Sequence, residues 1–398
     1  MKKATAVICV VLAFLSGCYL TYLITVKQYA ASAYSSGSAA DKVAEIEEIL
    51  REYFVDPLDE TALGDAAADA VIAATGDRWS YYVPAKEYAQ FEEMNNNGYV
   101  GVGITIRDEA DENGFRVTGV TEGGPAWEAG VEVGDVLVSV DDRSAVEIGF
   151  TGTRDAVRGP SGTKVRLGFL RGGENYSCSV SRRYIEQTVS TGKMLEGKIG
   201  LVRIENFDTN AGKQAIAAVK ELVKDGAEGL VFDVRCNPGG QKDELCSLLD
   251  YLLPEGEIFH AVSSDGQESR DYSDASCVKL PMAVLVDMDS YSAAEFFAAT
   301  LQQYGWAKVV GEKTCGKGNY QYTFLLSDGS AVAVSSGRYY TPSGLRLTDV
   351  GVTPDVELSL TDEEFDRFYY GELAPEDDPQ IQAAAEILKK SGNNALSR

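Results

Sequence analysis

The chain has 398 residues and a net charge of −25, with 44% hydrophobic and 24% charged residues. That length allows about two or three domains with cores of their own, and the composition excludes wholesale disorder. So acidic a chain, without a long Lys/Arg run, would be repelled by a phosphate backbone, which excludes nucleic acid as a partner.

Lys2 and Lys3 precede Ala4 to Val26, a stretch without charge. As a helix it would span about 34 Å, the depth of a bilayer core. The basic start should stay cytoplasmic and place the remainder outside. The expectation for 1–30 is therefore an uncleaved anchor in a bacterial cell membrane. A cleaved signal peptide, followed by export, is the main alternative. Leu15-Ser16-Gly17-Cys18 also resembles a lipoprotein box, in which Cys18 would carry lipid. Tyr19 to Val26 stays apolar where a lipoprotein usually turns polar, which favours the anchor. Each version places the domains outside the cytoplasm.

Residues 31–40 (ASAYSSGSAA) read as a small, polar linker. Over 41–95 the pattern is helical. Val43, Ile46, Ile49, Leu50 and Phe54 share one face, Pro57 ends that helix, and Ala62 to Ala74 forms another. This region reads as a lid or a dimerisation element. From 96 to 184 the texture changes to short strands with glycine turns, beginning NGYVGVGITI. Glycines before a strand let backbone N–H groups bind a terminal carboxylate, and the strand edge can accept a peptide as an extra strand. The candidate peptide-binding residues are Tyr99, Val100, Gly101, Val102, Gly103 and Ile104. A lone G-x-G would equally be a strand-entry turn. With Gly124-Pro125-Ala126 and VGDVL at 133–137, the segment resembles a PDZ domain. That resemblance implies capture of carboxyl-terminal peptide segments.

KIGLVRI, GLVFDV and MAVLVD are compact apolar runs of the kind buried in a sheet covered on both faces. They predict an α/β core over 185–360 with a largely parallel sheet, and ligands gathering at the carboxyl ends of its strands. An acidic helical tail follows over 361–398. The chain as a whole reads as α/β and multidomain.

Three places carry chemistry. In DVRCNPGG (233–240), Pro238 and the paired glycines expose backbone amides at a helix start, a cradle for developing negative charge; a tight turn needing φ > 0 has the same signature. Ser292 falls in the first helical turn after MAVLVD, where its own N–H and that of Ala293 point outward. Locally it could equally be a helix-start serine. Lys317 stands between Gly316 and Gly318, which let a loop side chain point inward. A lysine near its ordinary pKa of about 10.4 is a poor base, so it would have to be desolvated. Gln321 suits that need: a neutral amide can hold the amine, whereas a carboxylate would push its pKa back up. The one histidine, His260, follows EIF in an apolar strand and lacks a triad signature. Of seven cysteines, Cys9 and Cys18 lie in the apolar segment and the rest are scattered. No disulfide framework, metal site or cofactor is expected.

DVRCNPGG, SYSAAE with GEKTCGKGNYQ, GRYYTPSG with GVTPDVEL, and GDRWSYYVPAKEYAQF at 76–91 together resemble the carboxyl-terminal processing (tail-specific) serine protease family. The resemblance implies a PDZ domain on a ClpP/crotonase-like core, with Ser292 as nucleophile, Lys317 as general base and Gln321 as its orienting partner. Gly239 or Gly240, with Ala293, would donate to the oxyanion. It implies an endopeptidase acting on proteins or peptides through an acyl-enzyme, and a homodimer through the amino-terminal helices. Cys236 stands where the family usually has Asn, and Ala294 where it has a further serine; neither removes a catalytic group. Glu295 receives no role beyond holding the helix start. Cys236 and Cys315 sit in the two loops expected to converge. They would have to bring their Cα atoms within about 7 Å to form a disulfide, and buried thiols are the simpler reading. The rivals are a PDZ scaffold on a silent core, a His260-dependent protease, and a crotonase-like acyl-processing enzyme without a coenzyme signal.

Overall fold

The computed structural model describes residues 38–111 and 113–395, so the expected anchor (1–30), with Cys18, and most of the linker lie outside the described residues. Among the described residues no helix is long and apolar enough to cross a membrane. The chain divides into two compact units, 1–82 and 83–398.

In the first unit, α1 (Ala39–Tyr53) starts at a capping box. The Ser38 hydroxyl accepts from the Asp41 amide at 3.1 Å, and the Asp41 carboxylate accepts from the Ser38 amide at 3.2 Å. Asp59 caps α2 (Glu60–Ala73) by accepting from the Thr61 and Ala62 amides. Arg51 ties the helices by bonding Glu47 and Glu60 at 3.0 and 2.8 Å. No residue of either helix is buried, and Ile46, Ile49, Tyr53 and Phe54 are exposed.

A short strand, β1 (Tyr81–Val83), leads into α3 (Ala85–Asn95) and β2 (Gly98–Gly101). Next come β3 (Ile104–Asp111), β4 (Gly114–Val120), the single turn α4 (Pro125–Glu128), β5 (Val136–Val140) and β6 (Arg143–Ser144). The helix α5 (Ala145–Val157) and strands β7 (Lys164–Arg171), β8 (Glu174–Ser181) and β9 (Arg183–Glu186) complete the region. An antiparallel sheet runs β3-β4-β5-β7-β8, with β6 on β5, so β3 is an edge strand. Alternate residues of these strands (Val117, Leu137, Leu167, Phe169) build a small separate core under α5. Strand β2 leaves that sheet and pairs with β9 instead.

The larger core begins with β10 (Ser190–Leu195), β11 (Ile199–Ile204), α6 (Ala211–Lys224), β12 (Gly229–Asp233) and α7 (Lys242–Leu252). It continues through β13 (Gly256–Ser263), β14 (Glu268–Ser273), β15 (Met282–Val286), α8 (Ala293–Gln303) and β16 (Ala307–Gly311). It closes with β17 (Asn319–Leu325), β18 (Ala331–Tyr340), β19 (Val356–Glu357), α9 (Asp362–Tyr369) and α10 (Pro379–Ala395). The main sheet has the order β10-β11-β12-β15-β16-β19; all neighbours are parallel except the β10–β11 pair.

Both faces of this sheet are covered, which is why its strands read as unbroken apolar runs. Val202, Ile204, Phe232, Val284 and Val309 face the layer that contains α7 and α8. Ile199, Leu201, Val231, Leu285 and Val310 face Ile381, Ala384, Ala385 and Leu388 of α10. Each large aliphatic side chain buried this way contributes about 1.5–3 kcal/mol. A second, antiparallel sheet sets β17 beside β18, and β18 also pairs with β13, which pairs with β14. The sequence reading did not contain this sheet, although GRYYTPSG begins in its longest strand.

Candidate active site

Strands β12 and β15 are neighbours in the sheet and end in successive tight turns. In the turn after β12, Cys236 takes a left-handed φ of 54°, and its amide donates to both oxygens of Asp287 at 2.9 Å. The Cys236 thiol also donates to Asp287, at 3.3 Å, and Cys236 and Cys315 are not joined in a disulfide. Asp287 additionally accepts from the Asp289 amide at 3.0 Å, so one carboxylate joins the two turns. Burial pushes its pKa up, and the Cys236 and Ser290 bonds offset part of the rise. Ser290 is buried; its hydroxyl accepts from the Asp287 amide at 3.0 Å and reaches the Val234 carbonyl at 2.7 Å. It fastens the turn from inside.

Behind the first turn lies a buried ionic cluster. Arg235 pairs with Asp233 at 2.7 Å and with Asp378 at 2.9 Å, and it donates to Gln380 at 2.8 Å. Burial would raise Asp233, but Arg203 and Arg235 beside it hold its pKa down at about 2. The Phe368 ring stacks over the Arg235 guanidinium, with its centroid 4.1 Å away.

Gly239 packs directly against the serine turn. A Cβ there would lie 2.7 Å from the Ser292 Cβ and 2.8 Å from the Ala293 amide nitrogen, and φ is 89°. Only glycine permits this approach. The Gly239 N–H, however, donates to the buried Asn237 side chain at 2.8 Å. Gly239 thus gives close contact with its N–H engaged, and Gly239, Gly240 and Ala293 are the candidate oxyanion donors of the two turns.

Ser292 adopts φ 59° and ψ −121°, a conformation that costs a non-glycine residue about 1–3 kcal/mol. It stands where β15 turns into α8, the strand-to-helix corner that exposes a nucleophile. Its amide donates to Glu295 Oε2 at 3.1 Å. The same Glu295, fully buried, accepts from the Lys317 amide at 2.8 Å, the Gly316 amide at 2.6 Å and the Thr314 hydroxyl at 2.5 Å. Burial raises its pKa, while those four donors pull it back down in part. The Lys317 Nζ lies 5.7 Å from the Tyr291 ring centroid.

Gln321 lies on β17 opposite Ser335, and its Nε2 is buried without a hydrogen-bond partner. An orphaned buried donor costs about 1–3 kcal/mol. His260 faces elsewhere, its Nε2 3.2 Å from both Glu268 and Arg270 on β14. Among the described residues no group of three or more His, Cys, Asp or Glu could hold a metal ion.

The peptide-binding candidates divide. Tyr99, Val100 and Gly101 pair with Ile185, Tyr184 and Arg183 of β9. Val102 is buried and its carbonyl accepts from Ala126, while the Gly103 carbonyl accepts from Thr121. Of the six, only Ile104 stands on the edge strand β3, and this narrows the expectation. Sequence reasoning missed Asn237, Asp287 and Tyr339 as organisers. The Asn and Asp side chains folding back onto turn amides were a usable signal for the first two.

Residues 198–358 match the model of peptidase family S41, and 116–171 match a PDZ domain. The chain is 29% identical over 350 residues to the carboxyl-terminal-processing protease of Synechocystis, covering 85% of this chain and 80% of that protein. It is 28% identical over 331 residues to a CtpA-like serine protease of Staphylococcus saprophyticus, covering 80% of this chain. It spans 66% of that relative, just under two thirds of its length. A solved Bacteroides fragilis structure named as an S41 protease shares the fold at TM-score 0.50 and 15% identity, covering 87% of this chain and 97% of that one.

Proposed function

We propose, on the premise that this chain is a serine peptidase of family S41 with a PDZ domain, that it is an endopeptidase working through Ser292 and Lys317. The observation that carries the reading is one oxygen: Glu295 Oε2 accepts from the amides of both Ser292 and Lys317, at 3.1 and 2.8 Å. The backbones of the two residues are thereby gathered on one carboxylate although they lie on different loops. Lys317, as the neutral amine, takes the Ser292 proton while Oγ attacks the scissile carbonyl. The Gly240 and Ala293 N–H groups receive the developing oxyanion, assisted by the amino-terminal end of α8. The ammonium then returns the proton to the leaving amine, and water hydrolyses the acyl-enzyme. Gln321, with its unengaged buried amide, fits the part of orienting the lysine once substrate closes the site.

In the same proposal the segment 96–184 captures a carboxyl-terminal or exposed apolar segment of a protein substrate, along β3 from Ile104, for the core at 185–360. The uncharged stretch at 4–26 supports anchoring outside the cytoplasm. The exposed apolar face of α1 is consistent with a homodimer.

Ser292→Ala and Lys317→Ala should each lower cleavage of a peptide with an apolar carboxyl terminus by about 10³-fold or more, while its binding persists. Turnover equal to wild type in both variants would refute the assignment.

A further inference from the structure

The glycine pair beside Ser292 is held by a strap that lies outside the serine and lysine loops. Phe207, fully buried, follows β11 and forms an isolated parallel bridge with Gly240. Its amide donates to the Gly239 carbonyl at 2.6 Å, and its carbonyl accepts from the Gln241 amide at 2.7 Å. A Cβ on Gly240 would lie 2.3 Å from the Phe207 carbonyl carbon, so the two backbones touch. The Gly239 carbonyl and the Gly240 N–H belong to one trans peptide plane and point in opposite directions. Fixing the carbonyl on Phe207 therefore aims the Gly240 N–H away from it. That N–H donates to no group among the described residues.

The Phe207 loop has an anchor of its own. Asn97 and Asn206 exchange side-chain amide bonds: Asn97 Nδ2 donates to Asn206 Oδ1 at 2.8 Å, and Asn206 Nδ2 donates to Asn97 Oδ1 at 2.9 Å. Asn206 Oδ1 also accepts from the Asp208 amide at 2.9 Å, and Asn97 Nδ2 reaches the Thr209 carbonyl at 3.1 Å. The pair grips the loop on both sides of Phe207. From the turn itself, the Gln241 side chain donates to the Asn95 carbonyl and the Thr209 hydroxyl, each at 3.0 Å. Asn97 is 1% exposed, so its amide group bears a desolvation cost that only these bonds offset. Its φ of 45° is one that asparagine tolerates.

We propose that Asn97 and Asn206 are positioning residues for the candidate oxyanion donor. Their amide pair sets the Phe207 loop, which turns the Gly239–Gly240 peptide so that the Gly240 N–H faces the reacting carbonyl. Neither asparagine touches substrate. A donor of this kind helps only if it is aimed before the charge develops. Displacements of about 1 Å at such a site cost about 100-fold in rate.

The inference rests on the Ser292–Lys317 reading with Gly240 as a donor, so its test runs the variants in parallel on the full chain. Asn206→Ala removes both amide bonds from a half-buried position. Its kcat on a peptide substrate should fall by about 10- to 100-fold, with KM changed less than about twofold. A peptide aldehyde, whose carbonyl oxygen takes the oxyanion position once Ser292 Oγ adds to the carbonyl carbon, should lose affinity by a similar factor. The matching peptide alcohol forms no adduct and should bind within about twofold of wild type. Asn97→Asp deletes the two bonds that Asn97 donates and keeps a residue suited to its φ. Combined with Asn206→Ala it should add little to either single loss, as expected of one shared pair. Turnover and aldehyde affinity of Asn206→Ala within about twofold of wild type would overturn the proposal. Equal losses for aldehyde and alcohol, or a loss that follows a reduced folded fraction in thermal unfolding, would overturn it too, because recognition or folding would then explain them. Fully multiplying losses in the double variant would show that the asparagines do not act as a pair. If Ser292→Ala retains turnover, the nucleophile reading falls and this inference with it. If Ser292→Ala is dead and Asn206→Ala is unimpaired, only this inference falls.

Discussion

The turn at 234–240 and the loop at 312–318 both hydrogen-bond to the turn that carries Ser292, yet they are secured differently. The first is braced from behind by charge: Arg235, fully buried, lies between Asp233 and Asp378, and Arg203 faces Asp233 at 2.9 Å. The second is braced by hydrogen bonds to its backbone, from Glu295 on one side and Tyr339 on the other. The contrast has a chemical reason. In the proposed mechanism a carboxylate bonded to the Lys317 ammonium would keep it protonated, and the bracing contacts of Glu295 on this loop go to amides and a hydroxyl. The turn at 234–240 faces no such constraint and can use full ion pairs.

The contrast breaks most visibly if one ion is removed. Asp378→Ala leaves Arg235 short of one carboxylate in a buried site and should cost about 3–5 kcal/mol in urea unfolding. A cost below about 1 kcal/mol would mean that charge does not brace this turn.

Acid titration sharpens it further, because the two acids respond with opposite signs. Asp233 is depressed in the folded state, so it contributes stability above its unfolded pKa near 3.9 and loses it as pH falls through about 2. The stability gap between wild type and Asp233→Asn should therefore shrink by about 2 kcal/mol between pH 5 and pH 2. Glu295 is raised, so the folded state takes up its proton first, and acidification from pH 7 towards its unfolded pKa stabilises wild type relative to Glu295→Gln. Melting temperatures of the three proteins across pH would show it. Parallel curves for wild type and Glu295→Gln would count against a buried, raised carboxyl.

The smallest effect expected is at Cys236. Its φ of 54° suits Asn better than most side chains, which gives a backbone reason for the Asn usual in the resembling family. Cys236→Asn should leave cleavage intact and stabilise by about 0.5–1 kcal/mol, read from the denaturant midpoint. Destabilisation would show that the thiol's bond to Asp287 outweighs the backbone preference.

Much of the candidate site was visible in the sequence because its parts are local. The apolar runs at 229–234 and 282–287 announce buried parallel strands, and Ser292, Lys317 and the paired glycines sit on turns that local chemistry marks. What stayed hidden depends on partners distant along the chain. Residues 98–101 pair with 183–186, a register that no local pattern reveals, and of the six candidate residues only Ile104 stands on the edge strand β3. Tyr339 reads as one more aromatic in a strand until β18 sets it against Phe296. Asp378 and Gln380 look like ordinary acidic-tail residues until α10 returns to the sheet.

That return limits how the molecule can be dissected. Leu388, Ala385, Ala384 and Ile381 roof the second face of the main sheet, and all four lie beyond the last residue of the matched S41 segment. Cutting at Leu358 would strip Val231, Leu285 and Val310 of their cover and take Asp378 away from Arg235 as well. The fragment would be sticky, with the turn at 234–240 unmoored, and inactivity in it would say nothing about the enzyme's chemistry.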